Sequence, residues 1–191
     1  KINLNYLLIQ VNLYLWSIKF SMKKIKFSLE SEIDKIIKVY NLNNDWNKAI
    51  IKDIQKFKSK KIKKDSTSRK NLKKLSFVTI DGEDAKDFDD AVYCERIEKN
   101  WKLYVAIADV AHYVENNSNI DKEAKSRGTS TYFPGYVIPM LPEVLSNDLC
   151  SLKPNEDKLT VVAEMIINNN GDIKSYKFYN AIINSSARLT Y

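Results

Sequence analysis

The sequence is poor in the side chains that most often announce a chemistry. In 191 residues it has one histidine, His112, and two cysteines, Cys94 and Cys150. No C-x-x-C occurs and the pair has no zinc-ligand spacing, so a zinc module or a disulfide framework does not organise the chain. Both cysteines are expected to be buried, reduced thiols of a cytoplasmic protein. No Ser or Cys motif accompanies His112, which leaves a general-base role for it without a nucleophile to serve. Long apolar runs are missing too. Residues 2–20 are rich in Leu, Tyr and Ile, but Asn3, Asn5, Gln10 and Asn12 interrupt them too often for a membrane span. A basic leader and a small-residue cleavage site are also lacking, which argues against a signal peptide. Acids are outnumbered: Lys and Arg total 31 against 24 Asp and Glu, a formal net charge of +7. That balance favours a polyanionic partner. It is carried by lysine, in a chain also rich in Ile and Asn, a bias that an AT-rich genome produces as well.

Against this basic background the acids are concentrated in one place. Thr79-Ile80-Asp81-Gly82-Glu83-Asp84-Ala85-Lys86-Asp87-Phe88-Asp89-Asp90 holds Asp81, Glu83, Asp84, Asp87, Asp89 and Asp90. Carboxylates this close repel, and their pKa values rise unless something positive lies among them. A hard divalent cation such as Mg²⁺, which takes carboxylate, water and phosphate oxygens, resolves the conflict. Phe77 to Ile80 reads as a short strand ending at Asp81, with Gly82 turning the backbone. In an extended segment Asp87 and Asp89 would share one face and Phe88 the other. Asp90 would open the next strand. The residues alone leave open an acidic, solvated loop. A calcium loop of the EF-hand type is a poor match, since the glycine and terminal Glu are not at its offsets.

The segment TIDGEDAKDFDDAVY resembles the signature of the RNB catalytic domain of ribonuclease II and ribonuclease R, and is closer to the ribonuclease R form. The family pattern of an Asp, five residues, then Asp-x-Asp-Asp falls on Asp81, Asp87, Asp89 and Asp90. Likeness continues through residues 105–110, Arg127-Gly128-Thr129-Ser130-Thr131-Tyr132-Phe133-Pro134, residues 137–142 and Leu149-Cys150-Ser151-Leu152 to Ala187-Arg188-Leu189-Thr190-Tyr191. It implies an α+β fold: a partial RNB catalytic domain of antiparallel strands and short helices over 75–191. It further implies Mg²⁺-dependent 3′-to-5′ hydrolysis of single-stranded RNA to nucleoside 5′-monophosphates by a two-metal mechanism. Asp81, Asp87, Asp89 and Asp90 would be the catalytic and metal-binding residues. A tyrosine matching Tyr132 packs on the 3′ nucleotide in the family, and Arg127 in the same loop is expected to contact phosphate. RNB domains are normally much longer, and no cold-shock-like domain is evident ahead of this one. The expectation is therefore a fragment of the catalytic domain, feeble alone, whose partner would be the missing C-terminal part as a separate chain. The alternatives are a non-catalytic RNA-binding remnant or another metal-dependent phosphoesterase.

The rest of the chain is read from pattern. Residues 1–27 form an N-terminal segment, a strand near 11–15 or a translation artefact ahead of Met22. Residues 28–74 form a helical and basic linker. Ser28 would cap a helix with Ile33, Ile36, Ile37 and Tyr40 on one face, and Asn44 or Asp45 a second with Trp46, Ile50, Ile54 and Phe57. At that spacing Trp46 reads as core before it reads as a base-stacking platform. The basic run over 52–74, with Lys60, Lys61, Lys63 and Lys64 at its centre and Arg69, Lys70 and Lys73 beyond, suits RNA phosphates or a solvated tether. Hairpins are expected at residues 91–109 and 159–183, and a short helix from Asn119, capped by that residue. Asp109 reads as a supporting site acid or as a helix cap. Pro134, Pro139 and Pro142 mark an extended loop.

Overall fold

The computed structural model describes residues 28–57 and 68–191. The strand or artefact expected within 1–27, and Lys60, Lys61, Lys63 and Lys64, lie outside the described residues. The chain divides into two units, with residues 28–43 in the first and Asn44–Tyr191 forming the second. The first holds helix α1, Leu29–Val39, capped by Ser28, whose Oγ accepts from the Ser31 amide at 3.5 Å. Of its expected apolar face only Ile33 is buried, while Ile36 and Tyr40 are exposed.

The second unit opens with α2, Lys48–Phe57. Its cap is Asn47, which accepts from the Ile50 amide at 3.0 Å, and not Asn44 or Asp45. The Asn44 carboxamide instead accepts from the Tyr136 hydroxyl, while the Asp45 backbone carbonyl accepts from Arg127. Ile50 and Phe57 are buried, with Trp46 and Ile54 packed beside them, as the stripe predicts. Among the described residues no helix is long and apolar enough to cross a membrane.

The strands are β1 (Lys70–Asn71), β2 (Phe77–Asp81), β3 (Asp90–Ile97), β4 (Asn100–Ala108), β7 (Asp157–Ile167) and β8 (Ile173–Thr190). A separate ribbon is made by β5 (Thr131–Phe133) and β6 (Tyr136–Ile138). The β3–β4 and β7–β8 hairpins stand where alternation puts them. The first turns through Glu98 at φ 49°. The second turns on Asn168, whose Oδ1 accepts from the amides of Asn170 and Asp172, and on Gly171 at φ 89°. The sheet departs from an antiparallel one in a single respect: β1 and β2 both run parallel to β8. Because β8 is long, its first part pairs with β7 and its last residues with β2, so β2, β3, β4, β7 and β8 close into a ring. Phe77, Tyr93 and Tyr104 fill it, with centroids about 6 Å apart. Val162, Ala181 and Ile183 pack in the same core.

The outer side of β4, β7 and β8 is apolar as well. Trp101, Ile107, Val161, Tyr176 and Phe178 are exposed on it, with Leu103, Val105, Ala163 and Met165 paired among them. Where an extended loop was expected near the prolines, the aromatic and β-branched residues on either side of Pro134 and Gly135 form the β5–β6 ribbon. Leu145–Leu149 adds one π-helical turn. Helices α3 (Val110–Tyr113) and α4 (Asn119–Arg127) complete the unit. Ser118 caps α4, accepting from the Asp121 amide at 3.2 Å, and Asn119 instead donates to Asp53. Both cysteines are free thiols, but only Cys150 is buried; Cys94 lies exposed on β3.

Candidate active site

The antiparallel pairing of β2 with β3, Val78 opposite Val92, brings the end of one strand and the start of the other to the same edge of the ring. Asp81 is the last residue of β2 and Asp90 the first of β3. The intervening segment turns at once, with the Ala85 amide donating to the Gly82 carbonyl at 3.1 Å. Gly82 itself has no positive φ, so the turn does not demand glycine. Further on, side chains alternate as an extended piece should: Phe88 is buried while Asp87 is half-buried and Asp89 exposed.

Two tethers, neither singled out by sequence, fix this segment. Ser151 is fully buried; its hydroxyl accepts from the Phe88 amide at 3.2 Å and donates to the Lys86 carbonyl at 2.8 Å. The Leu152 amide adds a bond to the Phe88 carbonyl at 2.9 Å. Arg188, on β8, donates through one terminal nitrogen to the Gly82 and Glu83 carbonyls and lies 5.1 Å from the Phe88 ring centroid. Ser151→Ala leaves the Phe88 amide unsatisfied in the core and is expected to cost about 1–3 kcal/mol, read by urea unfolding.

The acids feel one another. Burial lifts the Asp81 carboxyl above its ordinary range, repulsion from Asp90 and Asp87 adds to this, and Arg188 works against it. Asp89 is raised likewise, by partial burial first and then by Asp87, Asp90 and Asp81. Near the same place, burial and then the charge of Asp89 push the Cys150 thiol up to about 12, so it is no nucleophile. The donor set, all carboxylate oxygen and electrostatically crowded, fits a hard divalent cation in ligand type and charge. Among the described residues no three His, Cys, Asp or Glu side chains stand together at ligand distance.

Tyr132 stands out from β5 with 67% of its surface exposed, which the residues alone would have placed in the core. Arg127 is a correction. Its guanidinium is closed off, donating to Glu123 at 2.9 Å, the Pro139 carbonyl at 2.8 Å and the Asp45 carbonyl at 2.9 Å. It also stacks 3.8 Å from the Trp46 ring centroid. With 5% of its side chain exposed, it ties the end of α4 to the stretch ahead of α2 and does not face a phosphate, and Trp46 packs against the core under it. The end of the basic run is structural too. Arg69 is buried in a 2.6 Å ion pair with Asp109, Lys70 reaches Glu164 and Lys73 reaches Asp157. Asp109 also caps α3 by accepting from the His112 amide at 3.2 Å, which is the cap reading of that acid. His112 packs edge-on against Tyr113.

Residues 69–191 match the family model of the RNB domain. The chain belongs to the RNB-domain family. It is similar to the Ribonuclease R of Vibrio parahaemolyticus, with 51% identity over 156 residues, 81% of this chain and 19% of that protein. To the Ribonuclease R of Escherichia coli K12 it is 48% identical over 160 residues, 83% of this chain and 20% of that one. Mycoplasma genitalium RNase R, solved in complex with ribose methylated single-stranded RNA, superposes with a TM-score of 0.80 at 42% identity. That match covers 85% of this chain and 26% of the other. This RNB chain thus spans about a fifth of the length of the curated relatives it matches.

Proposed function

We propose that this RNB chain carries the metal-binding acids of a Mg²⁺-dependent 3′-to-5′ exoribonuclease that hydrolyses single-stranded RNA to nucleoside 5′-monophosphates. The observation that carries the reading is the gathering of Asp81, Asp87, Asp89 and Asp90 at one edge of the ring, where the charges of Asp87 and Asp90 bear on both Asp81 and Asp89. Asp81, Asp89 and Asp90 would hold the metal, directly or through water, and Asp87 would complete or orient the shell. When bound, Mg²⁺ supplies an activated water and a Lewis acid for the leaving 3′-oxygen. The chain's own task is to hold the carboxylates near one another and the segment between them rigid. Tyr132, exposed and aromatic, offers a face on which a terminal base packs. Lys60, Lys61, Lys63 and Lys64 would meet phosphates without reading sequence, so binding should weaken steeply with salt.

The outer apolar wall of β4, β7 and β8 supports a protein partner, which we take to be the polypeptide corresponding to the rest of the RNB domain, in the same chain or in a separate one. The chain alone is then a weak nuclease. The test is a 5′-labelled single-stranded RNA with Mg²⁺, incubated with the chain alone and with the C-terminal part of a relative's domain. A ladder shortening from the 3′ end, strengthened by the added part and lost in Asp89→Asn, supports the proposal. Cleavage of single-stranded DNA or small phosphoesters but not RNA would favour another phosphoesterase. RNA binding without cleavage under both conditions would favour a remnant.

A further inference from the structure

We propose that Arg188 is a positioning residue of the acidic site, shaping the 82–88 segment so that its flanking carboxylates can close on a metal. This rests on the metal-site reading above. In the parallel β2–β8 ladder Arg188 is the register partner of Thr79, with Leu189 beside Ile80 and Thr190 beside Asp81. Its side chain is therefore anchored on a strand that the site's own strand is bonded to. From there it reaches both ends of the segment. One terminal nitrogen donates to the two carbonyls that directly follow Asp81, those of Gly82 and Glu83, the former at 3.0 Å. The guanidinium plane meets Phe88, the residue between Asp87 and Asp89, at 5.1 Å from the ring centroid. Both hydrogens of that nitrogen are engaged by backbone, and Nε is buried with no hydrogen-bond partner. The Nη2 end of the guanidinium is thus committed to the backbone of the segment.

The charge of Arg188 gives the inference its test, because the two roles it can have differ in sign. As a bare cation beside Asp81 it opposes a metal ion, and removing it should tighten metal binding. As a strut it aids the metal, and removing it should loosen the segment and weaken binding. Losing a residue that orients metal ligands typically costs about 10–100-fold in affinity. Lysine keeps the charge but has no planar fork to bridge two carbonyls and stack on a ring.

The experiment takes the 191-residue chain, its Arg188→Ala variant and its Arg188→Lys variant. Hydrogen exchange at the Ala85 and Phe88 amides is measured without metal, and Mn²⁺ affinity by calorimetry. Both variants are expected to exchange faster at these amides and to bind Mn²⁺ about 10–100-fold more weakly. Unchanged exchange with equal or tighter Mn²⁺ binding would overturn the strut. If Arg188→Ala does not fold, judged by circular dichroism, Arg188→Lys decides alone, since it alters geometry and not charge. Should the unaltered chain take up no Mn²⁺, the metal-site reading falls, and the exchange rates still judge Arg188.

Discussion

Asp89→Asn is expected to abolish Mg²⁺-dependent shortening of RNA while making the metal-free fold more stable. Both effects come from one carboxylate. Asn keeps the shape but loses the charge that a hard cation needs, and it removes the repulsion that Asp89 shares with Asp87, Asp90 and Asp81. We expect a fall in cleavage rate of about 10³-fold or more, on the scale of losing a principal electrostatic group at a reacting centre. The stability effect has a definite pH dependence. A carboxyl whose folded pKa is raised costs nothing below the ordinary carboxylate range, and its penalty grows as pH rises until it is fully present at neutral pH. The variant's advantage in melting temperature should thus appear between acid and neutral pH and vanish in acid. Added Mg²⁺ should reverse the order, since a ligand at 100 times its Kd adds about 2.7 kcal/mol to the protein that binds it. Equal melting temperatures of the two proteins at every pH and Mg²⁺ level would contradict the account.

Glu164→Gln is expected to cost the fold about 3 kcal/mol at pH 7, a large part of a typical domain's stability. Glu164 is buried in β7, and its two oxygens serve several strands at once. Oε2 accepts from the Tyr179 hydroxyl at 2.6 Å and from Lys70 at 3.3 Å, and Oε1 meets Lys102 at 3.1 Å and Lys177 at 3.2 Å. Burial alone would raise this carboxyl. Tyr179, Lys102, Lys177 and Lys70 overcome that and hold it at about 2. The acid therefore knits β1, β4 and β8 to β7. The figure sits at the low end for a broken buried pair, because Lys70 and Lys177 can swing their half-exposed ammonium groups into water. Since the folded pKa is depressed, the contribution is whole above about 4.5 and fades as pH falls towards 2. Urea unfolding should show the gap between the two proteins at pH 7 and a much smaller one at pH 3.

What could be read from sequence was what is local. The four aspartates lie within a single short segment, so their nearness in space followed from their spacing, and both long hairpins follow from strand alternation and turn residues. What sequence hid is what distance along the chain supplies. Arg127 beside Gly128 and three hydroxyl residues looks like a phosphate loop until Trp46 and the Asp45 carbonyl close over it. Arg69 belongs by composition to the basic run, and only the fold sets it against Asp109. Ser151 and Arg188 lie in blocks that resemble the family, but nothing in those blocks states their role, and their bonds to the acidic segment become visible only in the fold. Cap choice failed for a nearer reason: Asn44, Asp45 and Asn47 are all good cap types within four residues, and type alone does not choose among them.

The parallel pairing of β2 with β8 also sets a timetable. Phe77 and Ser185 are joined across 108 residues, and the pairing that flanks Asp81 ends at Thr190. Such long-range ladders close late, because the entropy of bringing distant segments together is lost before their contacts form. On a ribosome, β3 and β4 can fold against each other long before β8 has been made. The acidic edge thus lacks one of its flanking strands until almost the last residue of this stretch has emerged, and a chain stopped short of Ser185 would display the full aspartate signature without the Arg188 tether.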